Sequence, residues 1–148
     1  LVRDPDCANR ARSVADRVVE LSTFLRSSTE ASPPPVSSEG AVRYHPSCHM
    51  LRELGIKEEP CDALRDAGYD VDRGPERCCG FGGLFSVKLP ETSVAMADDV
   101  LDAAIADGAT DIVAADSSCL MQLRTRAEAR GLELTFRHLA SAIDDSQR

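Results

Sequence analysis

From residue 41 onward, short apolar runs alternate with stretches of helical periodicity, and glycines close several of the latter. Residues 41–45 read as a strand, 58–67 as a helix stopped by Gly68, and 69–73 as a second strand. Pro90 opens a long helix over 90–107 that Gly108 ends, because a first-turn N–H has no helical partner to lose. Its inward face is expected to be Val94, Ala97, Leu101, Ala104 and Ile105. Residues 111–115 form a compact buried strand, 118–130 a helix closed by Gly131, 132–136 a last strand and 137–144 a terminal helix bearing His138, which reads as structural. Strands separated by helices pair in parallel, since each crossover carries the chain back to the same end of the sheet. The expected fold class is therefore α/β: a small parallel sheet of about four strands with helices on both faces, plus an N-terminal helix.

That N-terminal helix is read over residues 6–27, where Ala11, Val14, Val18, Leu21 and Leu25 make one apolar stripe. Packing on its own domain is its expected role; lying against a separate partner domain is the lesser one. The Pro- and Ser-rich stretch that follows has no periodicity and reads as a linker. The expected organisation is a helical segment over 1–28, a linker over 29–40 and an α/β domain over 41–148. A chain of 148 residues suits one domain with a real core. Its first residue, Leu1 rather than Met, reads as the start of a piece of a longer polypeptide. The net charge of −8 runs against a nucleic-acid partner, whose phosphates reward a basic face. No apolar run is long enough for a transmembrane segment, and no signal-peptide pattern opens the chain. Six cysteines are too few for a disulfide scaffold of this size, so a cytoplasmic location and thiols with metal or redox work are expected.

The cysteines carry the functional information. Cys78 and Cys79 are adjacent in the turn Cys78-Cys79-Gly80-Phe81-Gly82-Gly83, and neighbouring residues do not easily reach disulfide geometry. Cys48 and Cys119 stand to either side, and all four thiols follow an expected strand and precede a helix. Parallel strands place such positions on one edge of the sheet, where ligands of α/β folds bind. Thiolates gathered from three loops suit a soft metal or an iron–sulfur centre. Cys119, in the first turn of its helix, is expected to have its thiolate favoured by the helix dipole. Gly80, Gly82 and Gly83 let the backbone turn sharply and bring N–H groups close to sulfur. His45 and His49 flank Cys48 as further candidate ligands or supporting donors, and Asp116, three residues before Cys119, is a candidate carboxylate ligand or a helix cap. Cys7 and Cys61 read as small core hydrophobes.

At these residues the chain resembles the cysteine-rich CCG domain found in heterodisulfide reductase and in the glycolate oxidase iron–sulfur subunit. The shared pattern is a lone cysteine, then Cys-Cys-Gly, then Cys-x-x-Cys, usually in two tandem copies. Here it runs from Cys48 through Cys78-Cys79-Gly80 to Asp116-Ser117-Ser118-Cys119, so that an aspartate replaces one thiolate. The words around Cys48, Cys78-Cys79 and Cys119 are most similar to those of the lactate-utilisation branch, and the resemblance covers roughly residues 41–143. It implies the second copy of a two-copy protein, with the first copy absent. It further implies an iron–sulfur cluster, either [4Fe–4S] or non-cubane, on Cys48, Cys78, Cys79 and Cys119, with electron transfer in L-lactate oxidation to pyruvate. The implied partners are the other subunits of a lactate- or glycolate-type oxidoreductase complex and the N-terminal CCG copy. Two alternatives stay open: a zinc-stabilised docking domain, and a thiol–disulfide (heterodisulfide-type) reductase domain in which Cys78 or Cys79 reacts directly.

Overall fold

Four short strands build one sheet: β1 (Ala41–Tyr44), β2 (Asp70–Arg73), β3 (Asp111–Ala114) and β4 (Thr135–His138). Their order is β2-β1-β3-β4 and every pair is parallel. The computed structural model describes residues 4–27 and 40–146, and the linker expected at 29–40 lies, except for Gly40, outside the described residues. Helices α1 (Pro5–Ala15) and α2 (Leu21–Ser27) precede the sheet. Around it run α3 (Glu59–Asp66), α4 (Leu84–Lys88), α5 (Pro90–Ala106), α6 (Ser117–Ala129) and α7 (Leu139–Asp145).

The alternation of side chains along β3 divides the core in two. Ile112 and Ala114 join Ala97, Leu101 and Ala104 of α5 and Leu120, Leu123 and Ala127 of α6 on one face. Val113 points the other way, into Val42 and Tyr44 of β1, Cys61 and Leu64 of α3, and Leu139 and Ala142 of α7. Helices thus cover both faces of a parallel sheet, the arrangement expected from the alternating pattern. Arg43, 6% exposed on β1, is held by Asp72 of β2 and by Asp107 at the end of α5. A buried charge of this kind is tolerable because both partners are carboxylates at hydrogen-bonding distance.

Several elements differ from the sequence expectation. The single helix expected over 6–27 is two, because β-branched Val18 and Val19 interrupt it and Glu20 caps a new start. The Glu20 carboxylate accepts the N–H groups of Ser22 and Thr23, at 2.8 and 3.2 Å. The expected stripe does not pack on its own domain: Val14, Val18, Leu21 and Leu25 are exposed, whereas Ser22 is buried. α2 is tied to α3 instead through an ion pair between Arg26 and Asp62. On α5 the inward face is rotated, with Ser93 and Val100 buried in place of Val94 and Ile105, which are 37% and 41% exposed. β4 begins only at Thr135, because a local Leu134-to-Leu132 backbone hydrogen bond turns the chain before the ladder starts. His138 is the last residue of β4 rather than part of the final helix, and its Nδ1 accepts the Ala140 N–H to cap α7. A π-helical turn over Met50–Leu54 and the short helix α4 were not expected from the sequence. Cys61 is fully buried as a core side chain, but Cys7 is only half-buried on α1 and joins neither core cluster.

Among the described residues no helix is long and apolar enough to cross a membrane. The rotated face of α5 is testable by denaturant unfolding. Leu101→Ala, at a position with no exposure, is expected to cost about 2–5 kcal/mol. Val94→Ala is expected to cost less than about 1 kcal/mol; equal losses for the two would restore the original face.

Candidate metal centre

The three sulfur-bearing loops leave the carboxyl ends of adjacent strands. β1 runs into His45-Pro46-Ser47-Cys48, β2 into the loop with Cys78 and Cys79, and β3 into Asp116 and the first turn of α6. β1 lies between β2 and β3, so the connections from β1 and β3 diverge at the crevice where α/β sheets bind ligands. The His45 N–H donates to the Val113 carbonyl at 2.8 Å, carrying the β1–β3 pairing one residue past the strand end. Ser47, buried, accepts the Met50 N–H at 3.3 Å on its hydroxyl and opens the helical turn that presents Cys48.

The four cysteines form two sulfur pairs. The Cys79 and Cys119 Sγ atoms lie 3.0 Å apart and buried, while those of Cys48 and Cys78 lie 3.9 Å apart and partly buried. His45 completes the tighter group. One donor atom each from His45, Cys79 and Cys119 falls within 4.8 Å of the other two, and all three residues are buried. The His45 Nε2 has no hydrogen-bond partner although it is buried. An imidazole nitrogen left this way against two thiols fits a ligand atom of a soft metal or cluster, because burying it unpaired is otherwise costly.

Protonation within the tight pair is uneven. The hydrogen bond from Cys119 brings Cys79 down to about 5, against the opposing effect of burial and with help from His45 and the Phe81 N–H. Cys119 is pushed far up by the same hydrogen bond, by burial and by the nearby Cys79 and Asp116 charges. Cys79 is thus the thiolate and Cys119 the proton holder. The helix dipole expected to ionise Cys119 is outweighed by its anionic neighbours. Cys78 is raised mainly by burial, although the Gly80 N–H donates to its sulfur at 3.4 Å.

Asp116 is the N-cap of α6. Its Oδ1 accepts the Ser118 and Cys119 N–H groups at 2.9 and 3.4 Å and the Ser118 hydroxyl at 2.5 Å. Burial opposes its ionisation, but these hydrogen bonds outweigh burial and hold the carboxyl below its usual value. His49 is 54% exposed and faces Glu53, with Nδ1 and Oε2 3.3 Å apart. The structure therefore gathers His45, Cys79 and Cys119 closely, sets Cys48 and Cys78 beside them, occupies Asp116 with capping, and turns His49 to the surface.

The Cys78–Gly83 loop is fixed from α5 and α6. Gly80 has φ +81°, and a Cβ there would press into the Ser93 carbonyl oxygen and Met96. The buried Ser93 hydroxyl donates to the Gly80 carbonyl at 2.7 Å and accepts from the Gln122 amide at 2.9 Å. Sequence reasoning missed Ser93 and Gln122. The available signal was a serine on the apolar face of α5, a polar group that burial obliges to find partners. Gly82 and Gly83 also sit at positive φ, and Gly83 immediately precedes α4.

Residues 42–124 match the family described as "CCG: Cysteine-rich domain". Lactate utilization protein A of Bacillus cytotoxicus is 37% identical to this chain over 144 residues, covering 95% of the chain and 60% of that protein. The proteins of the same name from Bacillus thuringiensis (strain Al Hakam) and Bacillus cereus (strain AH187) match to the same extent. The chain thus spans about 60% of the length of these relatives.

Two outcomes test this geometry. In the metal-free, reduced chain, thiolate absorbance near 240 nm should show one group titrating near pH 5, ionised above that pH and protonated below it. Cys79→Ser should remove that step, and Cys119→Ala should move it upward by deleting its main cause. Gly80→Ala should destabilise the fold by more than about 1 kcal/mol, since φ is positive and the space is occupied; a neutral effect in thermal unfolding would refute the close approach.

Proposed function

From the premise that this chain belongs to the cysteine-rich CCG domain family, we propose that it is an iron–sulfur electron-transfer domain of a lactate-oxidising enzyme system. The observation that carries the proposal is the gathering of four thiols and the unpaired His45 Nε2 at one sheet edge. Cys48, Cys78, Cys79 and Cys119 would hold the cluster, with His45 as an added donor. Asp116 would serve by capping α6 and fixing Cys119 rather than by ligation, and His49 would lie outside the ligand set. The Gly80–Gly83 turn would shape the pocket. A bound cluster supplies one-electron chemistry. The relatives' name supports lactate as the substrate of the whole system, whose oxidation to pyruvate releases two electrons and two protons. Other subunits and a further CCG copy are the proposed partners, in the cytoplasm.

The chain's own residues prepare the site. Cys79 is already ionised, so binding there displaces no proton, whereas Cys78 and Cys119 must each release one. The Gly80 and Phe81 N–H groups, directed at the Cys78 and Cys79 sulfurs, favour negative charge there and so tune a bound centre. Burial of Cys79 and Cys119 keeps water from that side.

One observation favours a second reading. A compact group of one histidine and two cysteines is the beginning of a zinc site, which needs four N or S donors. Anaerobic reconstitution with iron and sulfide separates the two. Incorporation of both, with brown absorbance that Cys79→Ser markedly reduces, is the expected result. Stoichiometric zinc without visible absorbance would replace the cluster by a structural metal. No iron uptake by the unaltered chain, or full retention in Cys79→Ser, would refute the cluster.

A further inference from the structure

A small cavity opens beside the outer sulfur pair. Its volume is about 160 Å³, and Cys48 and Cys78 form part of its wall together with Pro46, Leu51, Arg52 and Lys57. Glu76 and Arg77 complete the rim, but each already has an opposite charge: Glu76 pairs with Arg73 at 2.9 Å and Arg77 with Asp99 at 2.6 Å. Arg52 and Lys57 make no ion pair among the described residues. In this chain of net charge −8, eight of the thirteen described arginines are held by carboxylates. The cavity therefore carries two cations beside the sulfurs that are held in no ion pair, although the Glu76 carboxylate on the same wall lies within their field.

We propose that this cavity is a binding site for a small organic carboxylate, with Arg52 and Lys57 as its anion-binding residues. Size sets the upper limit. At roughly 30 Å³ per water, the space holds about five waters, enough for a molecule of some six heavy atoms and too little for a nucleotide or a drug-sized ligand. Charge sets the functional group, since a guanidinium fork matches a carboxylate in the plane and an ammonium adds a point charge. The apolar Pro46 and Leu51 set the rest, because they favour a short hydrocarbon part over a fully hydrated inorganic ion. The site brings that molecule to the side of the centre where Cys48 and Cys78 are partly exposed, opposite in character to the buried Cys79 and Cys119. The choice of L-lactate as the carboxylate rests on the proposed lactate-oxidising role; the anion site itself does not.

The test is an ¹⁵N–¹H NMR titration of the metal-free 148-residue chain, kept reduced with dithiothreitol, against L-lactate, its neutral amide L-lactamide, and inorganic phosphate. Saturable shifts are expected with L-lactate at the amides of Arg52, Lys57 and Cys78, and not with lactamide. The double substitution Arg52→Gln/Lys57→Gln is expected to weaken lactate binding about tenfold or more. Both residues are exposed and unpaired, so spectral dispersion should be retained. Shifts that are absent, centred elsewhere, equal for lactamide or unchanged by the double substitution would overturn the site. Tighter binding of phosphate than of lactate would overturn the organic-carboxylate assignment. A chain that loads iron but binds no lactate refutes only this site. One that binds lactate here yet takes up no iron supports it and refutes only the cluster.

Discussion

The sulfur site depends on how closely the Cys78–Gly83 loop approaches helix α5. At Gly80 the backbone lies against the Ser93 carbonyl, where no side chain could fit, and the Ser93 hydroxyl clasps the Gly80 carbonyl from the same helix turn. Gln122 holds Ser93 in turn, so α6, which carries Cys119, is tied into the same contact. The 3.0 Å separation of Cys79 and Cys119 follows from this linkage, and with it the shared proton that leaves Cys79 ionised. A larger residue at position 80 would lift the loop from α5 and separate the sulfurs before touching either of them.

Much of this was legible in the sequence. The α/β class followed from strand–helix alternation, and glycines at 68, 108 and 131 marked helix ends that the structure places within two residues of them. The cysteine loops were placed at one sheet edge by topology alone, since parallel strands allow little else. What stayed hidden has physical reasons. The inward face of α5 includes Ser93, which any apolar pattern discards, because its burial depends on partners supplied by Gly80 and Gln122. The protonation of Cys119 depends on an anionic neighbour forty residues away in the chain, which outweighs the local helix dipole. The break between α1 and α2 rests on a side-chain cap by Glu20 that competes with an otherwise continuous helical stripe.

Charge is distributed with the same economy. Arg43 and Arg137 stand on the sheet, each held by aspartates from neighbouring elements, and Arg137 also lies 5.2 Å from the centroid of the Tyr69 ring. Asp98 of α5 joins Arg126 and Arg130 of α6, bracing the two helices that flank the doubled cysteine. The more solvated pairs, such as Arg26–Asp62 and Arg77–Asp99, contribute little individually. Arg52 and Lys57, near Cys48 and Cys78, stand outside these pairs.

The strand order has a consequence for how the site comes into being. Cys48, Cys78, Cys79 and Cys119 are brought together in the fold by the pairing of β1 with β2 on one side and β3 on the other, contacts that close loops of roughly thirty and seventy residues. Such non-local pairings form late and slowly, because chain entropy is lost before they are rewarded. The four sulfurs are thus gathered across the same long loops as the sheet itself. Any metal held there would bridge those loops, and its binding free energy would add to the stability of the whole topology.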